Sequence, residues 1–110
     1  MAQQTERRQH PRVPLTLSAE IRQLTEDHHI PAITANVSMG GACLHAPVVV
    51  EENAAVFVAL EAPPSLVLGT ARIVAADLDL EQRTARLHLQ FRHLSTPNRQ
   101  RLEALLAAGA

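Results

Sequence analysis

Lysine, tryptophan and tyrosine are missing from this 110-residue chain, cysteine occurs once, glycine four times, and Phe57 and Phe91 are the only aromatics. Each shortage excludes something. Without aromatic platforms or a basic excess, a β-barrel that stacks and tracks a nucleic acid polymer is not expected. Ten arginines against eleven acidic residues leave a net charge of −1, so nothing draws polyanions to the molecule as a whole. A single cysteine, Cys43, rules out an internal disulfide and suits a reducing compartment. No apolar run approaches the ~18 residues a membrane span needs, and the polar N-terminus lacks the apolar core of a signal peptide. A cytoplasmic location is therefore expected. The length allows one domain with a modest core, which Ala, Val, Leu and Ile must build.

What is present is mostly alternation. Val13, Leu15, Leu17, Ala19 and Ile21 alternate with Pro14, Thr16, Ser18, Glu20 and Arg22, the pattern of a half-buried strand. After a turn over residues 25 to 29, further strands are expected at about 33 to 38, 42 to 46, 55 to 60, 67 to 76 and 85 to 92. A Pro63-Pro64 break and a turn over Asp77 to Glu81 separate the later ones. Leu87, Leu89 and Phe91 should be buried. The period then changes: Thr96 before Pro97 reads as a helix N-cap, Leu102, Leu105 and Leu106 recur at helical spacing, and Gly109 suits a stop. These elements predict a mainly β fold, a small six-stranded antiparallel barrel closed by one C-terminal α-helix. Residues 1 to 6 read as a flexible tail and 7 to 108 as the domain. Pro11 and Pro14 discourage helix, so everything up to Arg12 is expected to be a mobile arm.

Two short segments carry the chemistry. Arg8-Gln9-His10-Pro11-Arg12 is R-x-x-x-R, and Asn36-Val37-Ser38-Met39-Gly40-Gly41 is N-x-S-x-x-G. Arginine is frequent enough that the first pattern is expected roughly once by chance, whereas the second should arise in roughly one such chain in a hundred. A guanidinium fork grips phosphate bidentately and also fits the O6/N7 edge of guanine. Asn36 can donate and accept, and Ser38 adds a hydroxyl. Strict alternation places Asn36 and Ser38 on one face, away from Ile33, Ala35 and Val37. Gly40-Gly41 lets bare backbone approach what they hold. The segments together suit an anionic, guanine-bearing ligand, although Asn36, Ser38 and the glycines also suit a plain hairpin turn.

The order and spacing of these motifs, with the strand and helix plan around them, resemble the PilZ domain family of bacterial cyclic di-GMP receptors. The likeness covers roughly residues 7 to 108. One departure is that Leu87-His88-Leu89-Gln90-Phe91 has no glycine, where many relatives carry one in the last strand. The resemblance implies that Arg8 and Arg12 grip phosphate and guanine, and that Asn36, Ser38 and Gly41 line the other side of a guanine, with Gly40 beside them as a candidate from the turn itself. It further implies that Arg7, directly before the arginine pair, accompanies two stacked ligand molecules per chain.

Three function classes are weighed. The leading one is a non-enzymatic second-messenger receptor that relays cyclic di-GMP binding to an unidentified effector protein by ordering its N-terminal arm. The alternative is a PilZ-like interaction adaptor that binds no ligand, and the third is the nucleic-acid barrel disfavoured above. No nucleophile–base pair suggests an enzyme, and no cofactor is expected. Cys43 reads as a small buried residue. His28-His29 lacks a third metal ligand, and His45, His88 and His93 are scattered along strands.

Overall fold

Beginning at Ser18, the chain winds through six antiparallel strands in a computed structural model that describes residues 10–109. They are β1 (Ser18–Gln23), β2 (Ile30–Val37), β3 (Gly41–Ala46), β4 (Ala55–Ala62), β5 (Ser65–Asp79) and β6 (Thr84–His93), followed by α1 (Thr96–Gly109). Their order around the closed barrel is β1-β2-β3-β6-β5-β4, with β1 returning to pair with β4. Every pairing is antiparallel. Closure removes the sheet edges, so the ladder groups find partners without a second sheet.

Small aliphatic residues fill the interior. Ile21, Val37, Leu44, Val56, Leu60, Val67, Ile73 and Leu87 are almost fully buried, and no aromatic is among them. Phe57 instead lies on the outside beneath the Arg22 guanidinium, 4.4 Å from its ring centroid. Phe91 is half-buried, not buried as the alternation suggests. On α1, Leu102 enters the core while Leu105 and Leu106 pack partly against it. The helix N-cap is Ser95, one residue ahead of the expected Thr96. Its Oγ accepts from the Asn98 amide at 3.4 Å, and its carbonyl accepts the first helical bond, from Arg99, at 2.8 Å. Asn98 Oδ1 then accepts from the Leu68 amide at 2.8 Å, tying the start of the helix to β5.

Two strand boundaries differ from the sequence expectation. Residues 77 to 79 continue β5, and the turn to β6 is displaced to 80–83, where Arg83 adopts a left-handed φ of 57°. The first strand begins at Ser18 instead of Val13, and Thr34 is the reason. Its side chain, 2% exposed, occupies the position where a ladder bond would form. Thr34 Oγ1 accepts from the Leu17 amide at 2.8 Å and donates to the Leu15 carbonyl at 2.6 Å. Regular pairing resumes only at the Val13–Val37 bridge, which has two backbone bonds of 2.8 and 2.9 Å.

The same region holds a β-bulge. Thr34 pairs with Leu44 and Asn36 with Cys43, leaving Ala35 as the extra residue. The bulge shifts the alternation, so Thr34 and Val37 both face inward. Ile33, expected inside, is 52% exposed. The expected common face of Ile33, Ala35 and Val37 is thus replaced by two phases joined at Ala35. Substituting Thr34→Val should leave the Leu17 amide and Leu15 carbonyl without partners and destabilise the fold by about 1–3 kcal/mol. Urea unfolding measures it, and an unchanged midpoint would show that the hydroxyl is dispensable.

Candidate functional site

Past the bulge, β2 ends in a turn organised by one hydroxyl. Ser38 Oγ accepts from the amides of Gly40 and Gly41, each at 3.1 Å, and its hydrogen is directed to the Gly41 carbonyl at 3.3 Å. The Ser38 amide also donates to that carbonyl, at 2.8 Å. A hydroxyl has one donor and two acceptor sites, so this one is fully committed within the turn. Ser38 lines the pocket below but does not offer the free hydroxyl contact that its spacing suggests.

The glycines are required for space. Among the described residues, no glycine has positive φ. A Cβ on Gly41 would lie 1.9 Å from the backbone oxygen of Leu89 on β6, so no side chain fits there. At Gly40 the nearest atom is Cδ2 of the His10 ring, at 2.8 Å. The Gly40–Gly41 end of the turn is therefore a ledge with no side chain of its own, and the His10 ring lies against Gly40.

Arg12 is delivered to this ledge by the Val13–Val37 bridge, which fixes the backbone next to it. The pocket they form has a volume of about 240 Å³. Its rim and ledge come from His10, Arg12, Ser38, Gly40 and Gly41, and its floor includes Cys43, Val74, His88 and Gln90. The structure thus brings together four of the seven residues that the sequence singles out. Asn36 stands opposite Cys43 on the neighbouring strand, half-buried and outside the pocket lining. Arg7 and Arg8 lie outside the described residues.

The floor was not legible from the motifs. Cys43 and His88 are direct cross-strand partners, as are Gly41 and Gln90, and Gln90 in turn faces Arg72 on β5. His88 and Gln90 alternate with the core residues Leu87 and Leu89, so their outward direction could be read from β6 itself. Their meeting with Gly41 depends on the β3–β6 pairing, which joins segments far apart in the chain. Gln90 Oε1 accepts from Arg72 Nη2 at 3.3 Å, while Arg72 Nε is buried without a partner. Asp77 binds Arg86 Nε at 3.0 Å and lies 3.6 Å from His88 Nε2. That contact strengthens the Arg86 guanidinium's hold on its proton.

Cys43 is buried as expected, but on the outer face of β3, apart from the barrel core. Burial pushes its thiol upward, Arg86 and Arg12 pull it back, and Asp77 adds a small upward push. The net direction is upward, so the thiol stays protonated at neutral pH, opposite to what a nucleophile needs.

A larger, more apolar cleft of about 420 Å³ lies elsewhere, between β1, β4, β5 and the start of α1. Its arginine, Arg22, is already stacked on Phe57 and donates to the Glu26 carbonyl at 2.8 Å. The motif pocket is smaller but carries the exposed Arg12 and the bare ledge, so it is the better anion site.

The family model of the PilZ domain matches residues 6–108, and the chain belongs to that family. Among solved structures, the chain resembles the Bacillus subtilis inhibitor of motility, MotI/DgrA, with a TM-score of 0.79 at 15% identity. That match covers 92% of this chain and 50% of the other, so the chain spans about half the length of the Bacillus protein. The PilZ domain of Escherichia coli YcgR, solved with c-di-GMP, matches with a TM-score of 0.76 at 13% identity, covering 94% and 91% of the two chains. The PilZ domain of CeSA from a cellulose-synthesizing bacterium gives 0.69 at 18% identity, with 89% and 96% covered. At these identities the likenesses bear on the fold, and they match the closed barrel with its terminal helix. No curated protein gives a significant match.

The two glycines make a sharp contrast. Gly41→Ala must separate β3 from β6 at a backbone contact and should cost about 1–3 kcal/mol or more. Gly40→Ala meets only a side chain that can rotate away and should stay within about 0.5 kcal/mol of the parent. Equal midpoints in urea unfolding would contradict the ledge geometry.

Proposed function

We propose that the protein is a non-enzymatic receptor for cyclic di-GMP, bound at the Arg12 and Ser38–Gly41 pocket. The observation that carries the reading is the bare Gly40–Gly41 backbone held beside an exposed arginine by the Val13–Val37 bridge. A flat ledge admits a purine base at close range, and a guanidinium at its edge matches either the guanine O6/N7 edge or a phosphate. The YcgR domain with the same fold was solved with this nucleotide, and MrkH, with a TM-score of 0.69 at 14% identity, is described as a c-di-GMP-dependent transcription regulatory factor. Asn36 and the arm residues Arg7 and Arg8 complete the site in this reading. The arm transmits binding to an effector protein by changing its contacts ahead of Val13.

Isothermal titration with cyclic di-GMP, and with GMP and GTP as controls, tests the proposal. Saturable binding of the cyclic dinucleotide alone is the expected result, and no heat at any concentration rejects the receptor. Arg12→Ala should weaken binding at least tenfold, since one bidentate contact is worth about 1–3 kcal/mol. Its side chain is exposed, so the thermal midpoint should hardly move. Arg12→Lys should bind nearly as poorly, because an ammonium lacks the planar fork.

Stoichiometry is a separate matter. Two intercalated dinucleotides bring four phosphate charges into one site, which favours a third guanidinium. Arg7→Leu should then move the ratio from two ligands per chain toward one, and a parent titration of one to one would remove Arg7 from the site.

A further inference from the structure

We infer that His88, which belongs to neither motif, is a ligand-contacting residue of the pocket, and that its protonation sets how tightly the site holds a dianionic nucleotide. The inference rests on the receptor reading above. His88 lies on the pocket floor with Cys43 and Gln90, in the middle of the outer face of β3, β6 and β5. Its side chain is 29% exposed, and Asp77 Oδ2 lies 3.6 Å from its Nε2. One ring nitrogen is thereby given a carboxylate neighbour while the imidazole still lines the space a ligand would fill.

The neighbours of His88 narrow the source of any pH response. From β3 it faces Cys43, and His45 lies two residue pairs further on, opposite Arg86. From β5 come Asp77 and the uncharged Val74 and Ala75. Arg86 and Gln90 flank it on β6, and Arg12 and His10 approach from the arm. The arginines stay charged at all relevant pH values, and burial keeps the Cys43 thiol protonated. Among the described residues near the pocket, only histidines are left to change charge between about pH 5 and 8. His45 Nδ1 is engaged with Thr84 Oγ1 at 3.2 Å, and His45 does not line the pocket. His10 lies against Gly40 at the rim. His88 alone combines a place on the floor with a position between the arm's arginine and the Asp77–Arg86 pair.

A cyclic dinucleotide keeps both phosphodiester charges throughout this range, so a protonated His88 attracts it where a neutral one does not. Binding then takes up a proton, and affinity rises as the pH falls. Titrations of the intact chain with cyclic di-GMP at pH 6, 7 and 8, each in two buffers of different ionisation enthalpy, read both effects. The parent Kd should fall by about tenfold from pH 8 to pH 6, with net proton uptake. His88→Gln should bind at every pH with the parent's pH 8 affinity and no uptake, whereas His10→Gln should keep the slope. A parent Kd that does not vary with pH, or a slope that survives in His88→Gln, overturns the role of His88 and leaves the receptor standing. Failure of the parent to bind at any pH instead rejects the receptor itself.

Discussion

Thr34 is the polar side chain on which the placing of the motif pocket depends. In a barrel lined by Ala, Val, Leu and Ile, a buried hydroxyl is tolerated only if both its donor and its acceptor capacity are used. Leu15 and Leu17 use them, so the hydroxyl replaces one ladder bond at Leu17 and adds one at Leu15, while the Thr34 amide still donates to the Leu17 carbonyl at 2.9 Å. The bulge beside it restores Val37 to the core and lets the Val13 bridge form. Without that change of phase, Val37 would face solvent, and the turn after it would swing away from β6. The position of Arg12 beside Gly40 and Gly41 thus follows from a hydroxyl three residues before Val37.

The pocket combines two kinds of rigidity. Its floor is sheet, with Gly41 so close to the Leu89 carbonyl that the backbone spacing cannot change without breaking the pairing. Its ledge is a turn whose amides and carbonyl are closed upon Ser38. The rim is different: Arg12 and His10 are exposed and precede the last backbone bridge holding the arm. A preformed floor keeps the entropic cost of binding low. An adaptable rim supplies the part of the surface that can differ between the free and bound protein.

Much of the architecture could be read from alternation alone. The six strands, their antiparallel succession and the terminal helix all follow from period-two and helical patterns bounded by Pro, Gly and polar turns. Prolines and glycines mark turns because they fix or free φ, and that information is local. The misplacements have local causes too. Ser95 outcompeted Thr96 as cap because its oxygen sits where it reaches the third helical amide, and Arg83 absorbed a left-handed conformation that a sequence reader would give to Gly or Asn. The bulge at Ala35 was invisible because Ile33-Thr34-Ala35-Asn36-Val37 alternates well enough to conceal an extra residue. Pocket residues drawn from β5 and β6 were illegible for a different reason. Only strand register brings Gln90 beside Gly41 and His88 beside Cys43, and no single segment encodes register.

A net charge of −1 also constrains how the site can work. Long-range attraction cannot gather a dianion, because the arginines and carboxylates nearly cancel over the whole molecule. The positive potential must be local, and on the described part of the site it comes from Arg12 at the rim, from Arg72 against the floor residue Gln90, and from Arg86, the last partly neutralised by Asp77. An anion in the pocket would have Arg12 on its rim side and the floor residues His88 and Gln90 beneath it. In the proposed receptor, a relay to another protein would run through the rim residues His10 and Arg12, which precede the last backbone bridge, and not through the hydrogen-bonded barrel wall.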